Sequence, residues 1–190
     1  INGGEVTSIV QNPLNPATLY MIMHYTDSGN AYVLRSYNSG DDWEIMSNGW
    51  FEIPSNDVNE FNVWGGRLAT TPADTNRIYA LLNEANSSGL SDLKTFGFVG
   101  LYRSDNSGDS WTRMNASIGW PYNNTTHPNL MSWGSFPGDG LPYAYNQVNY
   151  LNNALAVSSL DPDHVLVGAL AMWESTDGAS SWTGIGGYFS

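Results

Sequence analysis

Cysteine is absent from this chain of 190 residues, so its fold uses neither disulfide bonds nor thiolate chemistry. Basic residues are scarce: six Lys and Arg stand against eighteen Asp and Glu, giving a formal net charge of −12. This balance excludes nucleic acids and anionic membranes as partners bound through simple electrostatics.

Long apolar runs are also missing. No stretch approaches the roughly 18 residues that a membrane span requires, so we expect no insertion into a membrane. No helical periodicity of useful length is present either. The chain begins INGGEV, which lacks the pattern of a signal peptide. Such a start is typical of the interior of a longer polypeptide. We therefore expect an excerpt whose targeting segment lies elsewhere.

The chain does contain one octapeptide three times, with starts 68 and 71 residues apart. The copies are SYNSGDDW at 36–43, SDNSGDSW at 104–111 and STDGASSW at 175–182. The third departs from the others, with Gly178 one place early and Ala179 where glycine is usual. This departure predicts a slightly different turn in the third copy.

The octapeptide has a mechanical explanation as a tight turn. Ser and Asn or Asp side chains can bond backbone groups a few residues on, and glycine can take the positive φ that such turns need. The closing tryptophan can then bury a large ring and fix the hairpin to its sheet. We predict this structural role for Ser36, Asn38, Gly40, Trp43, Ser104, Asn106, Gly108, Trp111, Ser175, Asp177 and Trp182.

A second segment repeats upstream of each octapeptide: PLNPATLY at 13–20, PADTNRIY at 72–79 and SLDPDHVL at 159–166. Each copy follows a short β-prone run. The unit is thus strand, turn, strand, variable loop, strand, octapeptide turn and short strand. Four antiparallel strands in a repeated unit predict an all-β chain of propeller blades.

The predicted organisation is a single partial β-propeller of about two and a half to three blades. Its parts are blade 1 at about 1–46, a connection at 47–65, blade 2 at 66–114, an insert at 115–149 and blade 3 at 150–190. Propellers have about four to eight blades, so this chain cannot close a ring. We expect its partners to be the remaining blades of the same chain or another protein.

The pattern S-x-[DN]-x-G-x-x-W, repeated at this spacing, resembles the Asp-box or bacterial neuraminidase repeats of sialidases, xyloglucanases and sortilin-like receptors. Residues 95–190 are also similar to propellers of large Bacteroidetes surface proteins exported by type IX secretion. That likeness rests on NLMSW at 129–133, YLNNALAV at 150–157 and HVLVGALAMWESTD at 164–177. The resemblance implies a secreted or cell-surface protein and places the octapeptides away from any substrate.

A catalytic constellation is not visible in the sequence. A sialidase of this family would need three convergent arginines, whereas Arg35 and Arg103 occupy equivalent repeat positions. A xyloglucanase-like enzyme would need two carboxylates facing each other across a cleft. Loop carboxylates that could serve are Asp57, Glu60, Glu84, Asp92 and Asp139, but none lies in a matching motif. We assign no catalytic residue.

Metal and cofactor sites are not predicted either. The three histidines, His24, His127 and His164, are scattered without the spacing of metal ligands. Because His164 falls in a repeated turn, we expect it at the surface. No motif in the chain indicates a bound cofactor.

The insert at 115–149 has a composition of its own. It carries aromatic residues among Asn, Ser and Gln, with Asp139 as its single formal charge. Such rings can stack on sugars or form a protein-binding patch, or they can simply pack the insert down. The candidate ligand-binding residues are Trp120, Tyr122, Trp133, Tyr143 and Tyr145.

Two functions remain open. The first is a non-catalytic extracellular propeller that acts as a scaffold or as a glycan- or protein-binding surface. The alternative is part of a polysaccharide-cleaving glycoside hydrolase, xyloglucanase-like rather than sialidase-like, with some catalytic carboxylates elsewhere.

Overall fold

A computed structural model describes residues 4–25, 30–50, 63–84, 98–116, 128–131, 153–169 and 171–186. These residues contain strands and turns and no helix, so no helix among them could cross a membrane. The strands are β1 Glu5–Gln11, β2 Leu19–Tyr25, β3 Asn30–Ser36, β4 Glu44–Ile45, β5 Val63–Thr71, β6 Asp74–Glu84, β7 Phe98–Ser104, β8 Thr112–Ala116, β9 Ala154–Val157, β10 Val165–Gly168, β11 Met172–Ser175 and β12 Thr183–Gly186.

The strands form three four-stranded antiparallel sheets, each paired in sequence order. The first sheet is β1–β4, the middle sheet β5–β8 and the third sheet β9–β12. Equivalent strands recur in register: Tyr20 pairs with Arg35 as Tyr79 pairs with Arg103. The predicted strand order and turn positions are therefore confirmed in all three repeats.

The sheets stack face to face through two apolar clusters. Because side chains alternate across a strand, Tyr20 and Ile22 of β2 point towards the middle sheet, where they meet Ala80 and Leu82 of β6. Leu81, between them on β6, points the other way and joins Val167 of the third sheet in the second cluster. The middle sheet is thus covered on both faces.

The first strands of neighbouring sheets lie against one another, β1 with β5 and β5 with β9. This places the first strand of each sheet at the inner edge of the stack, which is the radial arrangement expected of propeller blades. The all-β propeller class predicted from the repeats is confirmed.

Two strands extend into segments predicted as connections. Strand β5 begins at Val63 because β6 is long enough to pair Val63 with Glu84, and β8 continues to Ala116. Trp50 is buried between the first and middle sheets, where its Nε1 donates to the carbonyl of Ala31 at 2.9 Å. The segment after β4 therefore fills the core as well as joining two sheets.

Candidate functional site: a turn end and a variable end

The two ends of the stacked sheets differ in what joins the strands. At one end, here called the turn end, lie the short β1–β2, β5–β6 and β9–β10 turns and the three octapeptide turns. At the opposite end, the variable end, β2, β6 and β10 end, β3, β7 and β11 begin, and β4 and β8 end, because successive antiparallel strands reverse direction. The second-to-third strand loops and the sheet-to-sheet connections therefore leave from the variable end.

The three octapeptide turns share one hydrogen-bond pattern at the turn end. The first Ser Oγ accepts from the fifth residue's N–H at 2.9 Å in all three copies. That hydroxyl also donates to the third residue's side-chain Oδ1 at 2.9 Å each time. The same Oδ1 accepts from the seventh residue's N–H, at 2.9, 2.9 and 2.8 Å. These side chains are occupied in closing the turn.

The turn backbone requires positive φ at two consecutive positions. The pairs are Ser39 and Gly40 (63° and 98°), Ser107 and Gly108 (59° and 93°), and Gly178 and Ala179 (69° and 72°). The third turn keeps this conformation and differs only in detail: its second positive φ is smaller, and Asp177 Oδ1 also accepts from the N–H of Ser180 at 3.1 Å. Gly178 relieves the first position, and Ala179 adopts the left-handed conformation that the hydrogen bonds of Ser175 and Asp177 impose.

The closing tryptophans are not equally buried. Trp111 and Trp182 are 5% and 3% exposed, and each packs in the cluster shared with the preceding sheet. Trp43 is only partly buried and packs with Met21, Met23 and Leu34 of its own sheet. The expected burial is wrong for Trp43, because no described sheet precedes the first one.

Arginine side chains tie neighbouring sheets together at the turn end. Arg35 Nη1 donates to the carbonyl of Ser107 and to Asp109, both at 2.7 Å, and its guanidinium also pairs with Glu44. Burial disfavours the charged form of Arg35, but the hydrogen bonds to Asp109 and Glu44 outweigh it and raise its pKa. Arg103 likewise donates to the carbonyl of Gly178 at 2.8 Å.

A third arginine strengthens this network between the middle and third sheets. Arg77 pairs with Asp163 at 2.6 Å and with Asp105, while the Tyr79 hydroxyl donates to the carbonyl of Pro162 at 2.8 Å. Burial opposes the charge of Arg77, but these partners raise its pKa. Arg35, Arg77 and Arg103 are thus committed to holding sheets together.

The variable end contains buried polar groups next to the insert. Residues 128–131 fold into the second apolar cluster, where Leu130 and Met131 are fully buried. Asn115 Nδ2 donates to the carbonyl of Pro128 at 2.9 Å, and Asn83 Nδ2 lies 3.5 Å from the sulfur of Met131. This short part of the insert is therefore anchored to the middle sheet.

The other predicted ligand and catalytic candidates lie outside the described side chains. This applies to the aromatic residues Trp120, Tyr122, Trp133, Tyr143 and Tyr145. It also applies to the loop carboxylates Asp57, Glu60, Glu84, Asp92 and Asp139 and to His127.

Two described side chains in or beside the first strands were assigned no role from the sequence. Arg67 of β5 reaches across to β1, where its Nη1 donates to the carbonyl of Thr7 at 3.1 Å. His24 is buried, with Nε2 3.6 Å from the carboxylate of Glu5. Burial lowers the pKa of His24, and Glu5 offsets this only in part. His24 is therefore neutral at pH 7.

Within the described part of the chain, His, Asp and Glu side chains form no group of three that could hold a metal ion. His164 is half-buried at the turn end, where its Nε2 lies 2.8 Å from Glu174. It is thus engaged with a carboxylate of its own sheet.

Comparison with known proteins gives the fold. No family model and no curated protein matches the chain. Among solved structures, the GH74 xyloglucanase from Xanthomonas campestris is similar over 95% of this chain and 20% of its own, with 22% identity and a TM-score of 0.53. The GH93 α-L-arabinofuranosidase of Fusarium graminearum, solved with arabinobiose, is similar over 96% and 49%, with 12% identity and a TM-score of 0.50.

YCF48 from Cyanidioschyzon merolae is 11% identical over 96% of this chain and 37% of its own, with a TM-score of 0.49. The chain thus spans less than half the length of each of these three proteins. At such identities the likeness to the first two shows the fold alone, and that fold is the β-propeller.

Proposed function

We propose that this chain is part of a non-catalytic, extracellular β-propeller of the Asp-box type that binds glycans at its variable end. The observation that carries the proposal is that the two ends of the sheets differ in what their polar side chains and connections do. At the turn end, short turns and intersheet arginines occupy the polar side chains. The sheet-to-sheet connections, which differ in sequence, leave from the variable end.

The composition of the insert favours a glycan as the ligand. Its Trp and Tyr residues stand among amides and hydroxyls, which can both donate to and accept from sugar hydroxyls. Residues 128–131 of the insert pack in the second apolar cluster, at the variable end of the middle sheet. The arabinobiose complex of the arabinofuranosidase shows a sugar bound by a protein of this fold.

Secretion to the cell surface, by a type IX route, is part of the same proposal. It rests on the sequence resemblance of residues 95–190 and on the acidic, cysteine-free composition. A glycan-binding propeller of this kind would serve as a module of a larger surface protein.

The direct test is the double variant Trp120→Ala with Tyr122→Ala. We expect it to lose binding to soluble polysaccharides, with xyloglucan and arabinan as first probes, because stacking surface is removed. Its melting temperature should stay close to that of the parent chain. Affinity electrophoresis and a thermal melt measure the two quantities.

Tyr37→Ala is the matched control. Tyr37 is 57% exposed but lies in the first octapeptide turn, at the opposite end of the sheets. Its loss should leave glycan binding unchanged. If the double variant is destabilised but its folded form still binds, or if Tyr37→Ala removes binding equally, the variable end is not the glycan site.

The alternative is a glycoside hydrolase, in keeping with the printed names of the xyloglucanase and the arabinofuranosidase. It requires two carboxylates across a cleft, drawn from Asp57, Glu60, Glu84, Asp92 and Asp139 or from outside this chain. Release of reducing ends from the same polysaccharides by the intact protein would favour this function over simple binding.

A further inference from the structure

One contact between sheets occurs twice in equivalent form. The arginine just before the first and the second octapeptide donates from its guanidinium to the fourth residue of the next sheet's octapeptide. Arg35 reaches the carbonyl of Ser107, and Arg103 reaches the carbonyl of Gly178. Arg35 also pairs with Asp109, two residues further on. The carbonyl of the fourth turn residue is thus the repeated acceptor of this clamp, and in the first contact the carboxylate of the sixth residue joins it.

The first octapeptide has the receiving groups of this clamp but no described sheet before it. Its fourth and sixth residues are Ser39 and Asp41, and both are exposed. The turn has positive φ at the same two positions as the other two turns, so the carbonyl of Ser39 and the backbone of Asp41 take equivalent places.

The apolar face beside this turn is likewise covered by no sheet of the described residues. We call it the outer face of the first sheet: Val6, Ile9, Met21, Met23, Tyr32, Leu34 and Ile45, which pair across all four strands. Met21, Met23 and Leu34, in the middle of this face, are buried by their own sheet. Val6, Ile9 and Ile45, on its edge strands, are 52%, 58% and 51% exposed and leave apolar area open to solvent.

The equivalent faces of the other two sheets are covered. Ala80 and Val167 occupy the places of Met21 in the middle and third sheets, and both are fully buried against the preceding sheet. The apolar cluster on the outer face of the first sheet, in contrast, draws all its described members from that sheet. Trp43 is left partly exposed for the same reason.

We propose that the outer face of the first sheet docks one further four-stranded sheet with an arginine immediately before its own octapeptide turn. That guanidinium donates to the carbonyl of Ser39 and pairs with the carboxylate of Asp41. The apolar side chains on the docked sheet cover Ile9 and Ile45 and complete the burial of Trp43.

A second copy of this chain does not fit this description. The third sheet would be the one to dock, and Glu174 stands where Arg35 and Arg103 stand in the others. Docking would bring the carboxylate of Glu174 against the carbonyl of Ser39 and the carboxylate of Asp41. Like charges placed directly across an interface oppose association and select against wrong partners.

A charge-exchange cycle on the complete 190-residue chain tests the proposal. Glu174→Arg and Asp41→Arg each place opposite charges across the contact between copies, whereas the parent chain and the double variant keep like charges. Sedimentation velocity at low ionic strength should show that each single variant associates about tenfold or more tightly than the parent. The double variant should return to the behaviour of the parent.

Two controls accompany the charge-exchange cycle. Near-ultraviolet circular dichroism reports whether each variant is folded, and Asp41→Arg is at an exposed turn position should Glu174→Arg fail to fold. Adding Ile9→Asp, on the exposed apolar face, should abolish the gained association. If the parent associates as tightly as the single variants, or if neither single variant gains association, a cation before the turn does not select the occupant and the proposal is overturned.

Discussion

At the scale of the residue, the octapeptide tryptophans show how a neighbouring sheet determines the burial of one side chain and its contribution to stability. Trp111 and Trp43 occupy the same position of the same turn. Trp111 meets Trp50 in an edge contact, with ring centroids 5.0 Å apart, and is 5% exposed. Trp43 instead donates from Nε1 to the carbonyl of Gly40 within its own turn.

This difference predicts unequal costs for the same substitution. Trp111→Ala should lower the free energy of unfolding by roughly 3–5 kcal/mol, the range for emptying a large buried aromatic site. Trp43→Ala should cost less than half as much, because part of its ring is already in contact with water. Denaturant titration of both variants measures the costs, and equal losses would contradict the burial seen here.

At the scale of the element, the third octapeptide turn differs chemically from the other two. Its third residue is Asp177, where the other turns have Asn38 and Asn106. Burial alone would raise the pKa of the Asp177 carboxyl. Hydrogen bonds from Ser181, Ser175 and Ser180 outweigh burial and hold that pKa below its ordinary value.

A lowered folded-state pKa gives stability that is present above the unfolded-state pKa and is lost as pH falls through the folded value. Melting temperatures of the parent chain and Asp177→Asn should therefore differ at pH 7 and converge below about pH 4. The variant should still fold, because asparagine closes the first two turns. A constant offset between the two proteins from pH 7 to pH 3 would show that the carboxylate charge contributes nothing.

The repeated elements could be predicted from the sequence because their signals are local. A strand, a turn and an octapeptide each depend on residues within a few positions, so the strand order of all three sheets follows from the repeats. The positive φ of Ser39 and Ala179 could not be predicted, since the hydrogen bonds of the turn impose it against their own preference.

Contacts between sheets could not be predicted from the sequence, for a different reason. Arg35 and Arg103 were recognised as repeat features, but their acceptors are backbone carbonyls more than 70 residues away, and a carbonyl has no sequence signature. The same holds for Leu130 and Met131, which read as part of a polar insert yet fill the core beside the middle sheet. The partial exposure of Trp43 depends on a neighbouring sheet that no local pattern reveals.

At the scale of the whole molecule, the three sheets pair their strands in the same way but differ in how many of their faces a neighbouring sheet covers. Strands β2, β6 and β10 are equivalent second strands, and each is hydrogen-bonded on both edges. In β6, Ile78, Tyr79, Ala80, Leu81 and Leu82 are all 0% exposed, because sheets pack on both faces. In β2 and β10 one face meets the middle sheet and the other does not.

This asymmetry predicts a gradient of amide hydrogen exchange across the equivalent strands. Exchange in the interior of a sheet requires opening, and opening costs more free energy where more apolar surface must be exposed. Amides of β6 should therefore exchange about tenfold or more slowly than those of β2 and β10, since each 1.4 kcal/mol of added opening cost slows exchange tenfold.

Hydrogen–deuterium exchange with peptide-level mass spectrometry resolves the three strands. Comparing the equivalent positions 20–22, 79–81 and 166–168, which are paired on both edges in all three sheets, isolates the effect of face coverage. Equal protection of β2, β6 and β10 would mean that the stack opens as one cooperative unit, and that an uncovered face costs the outer sheets nothing.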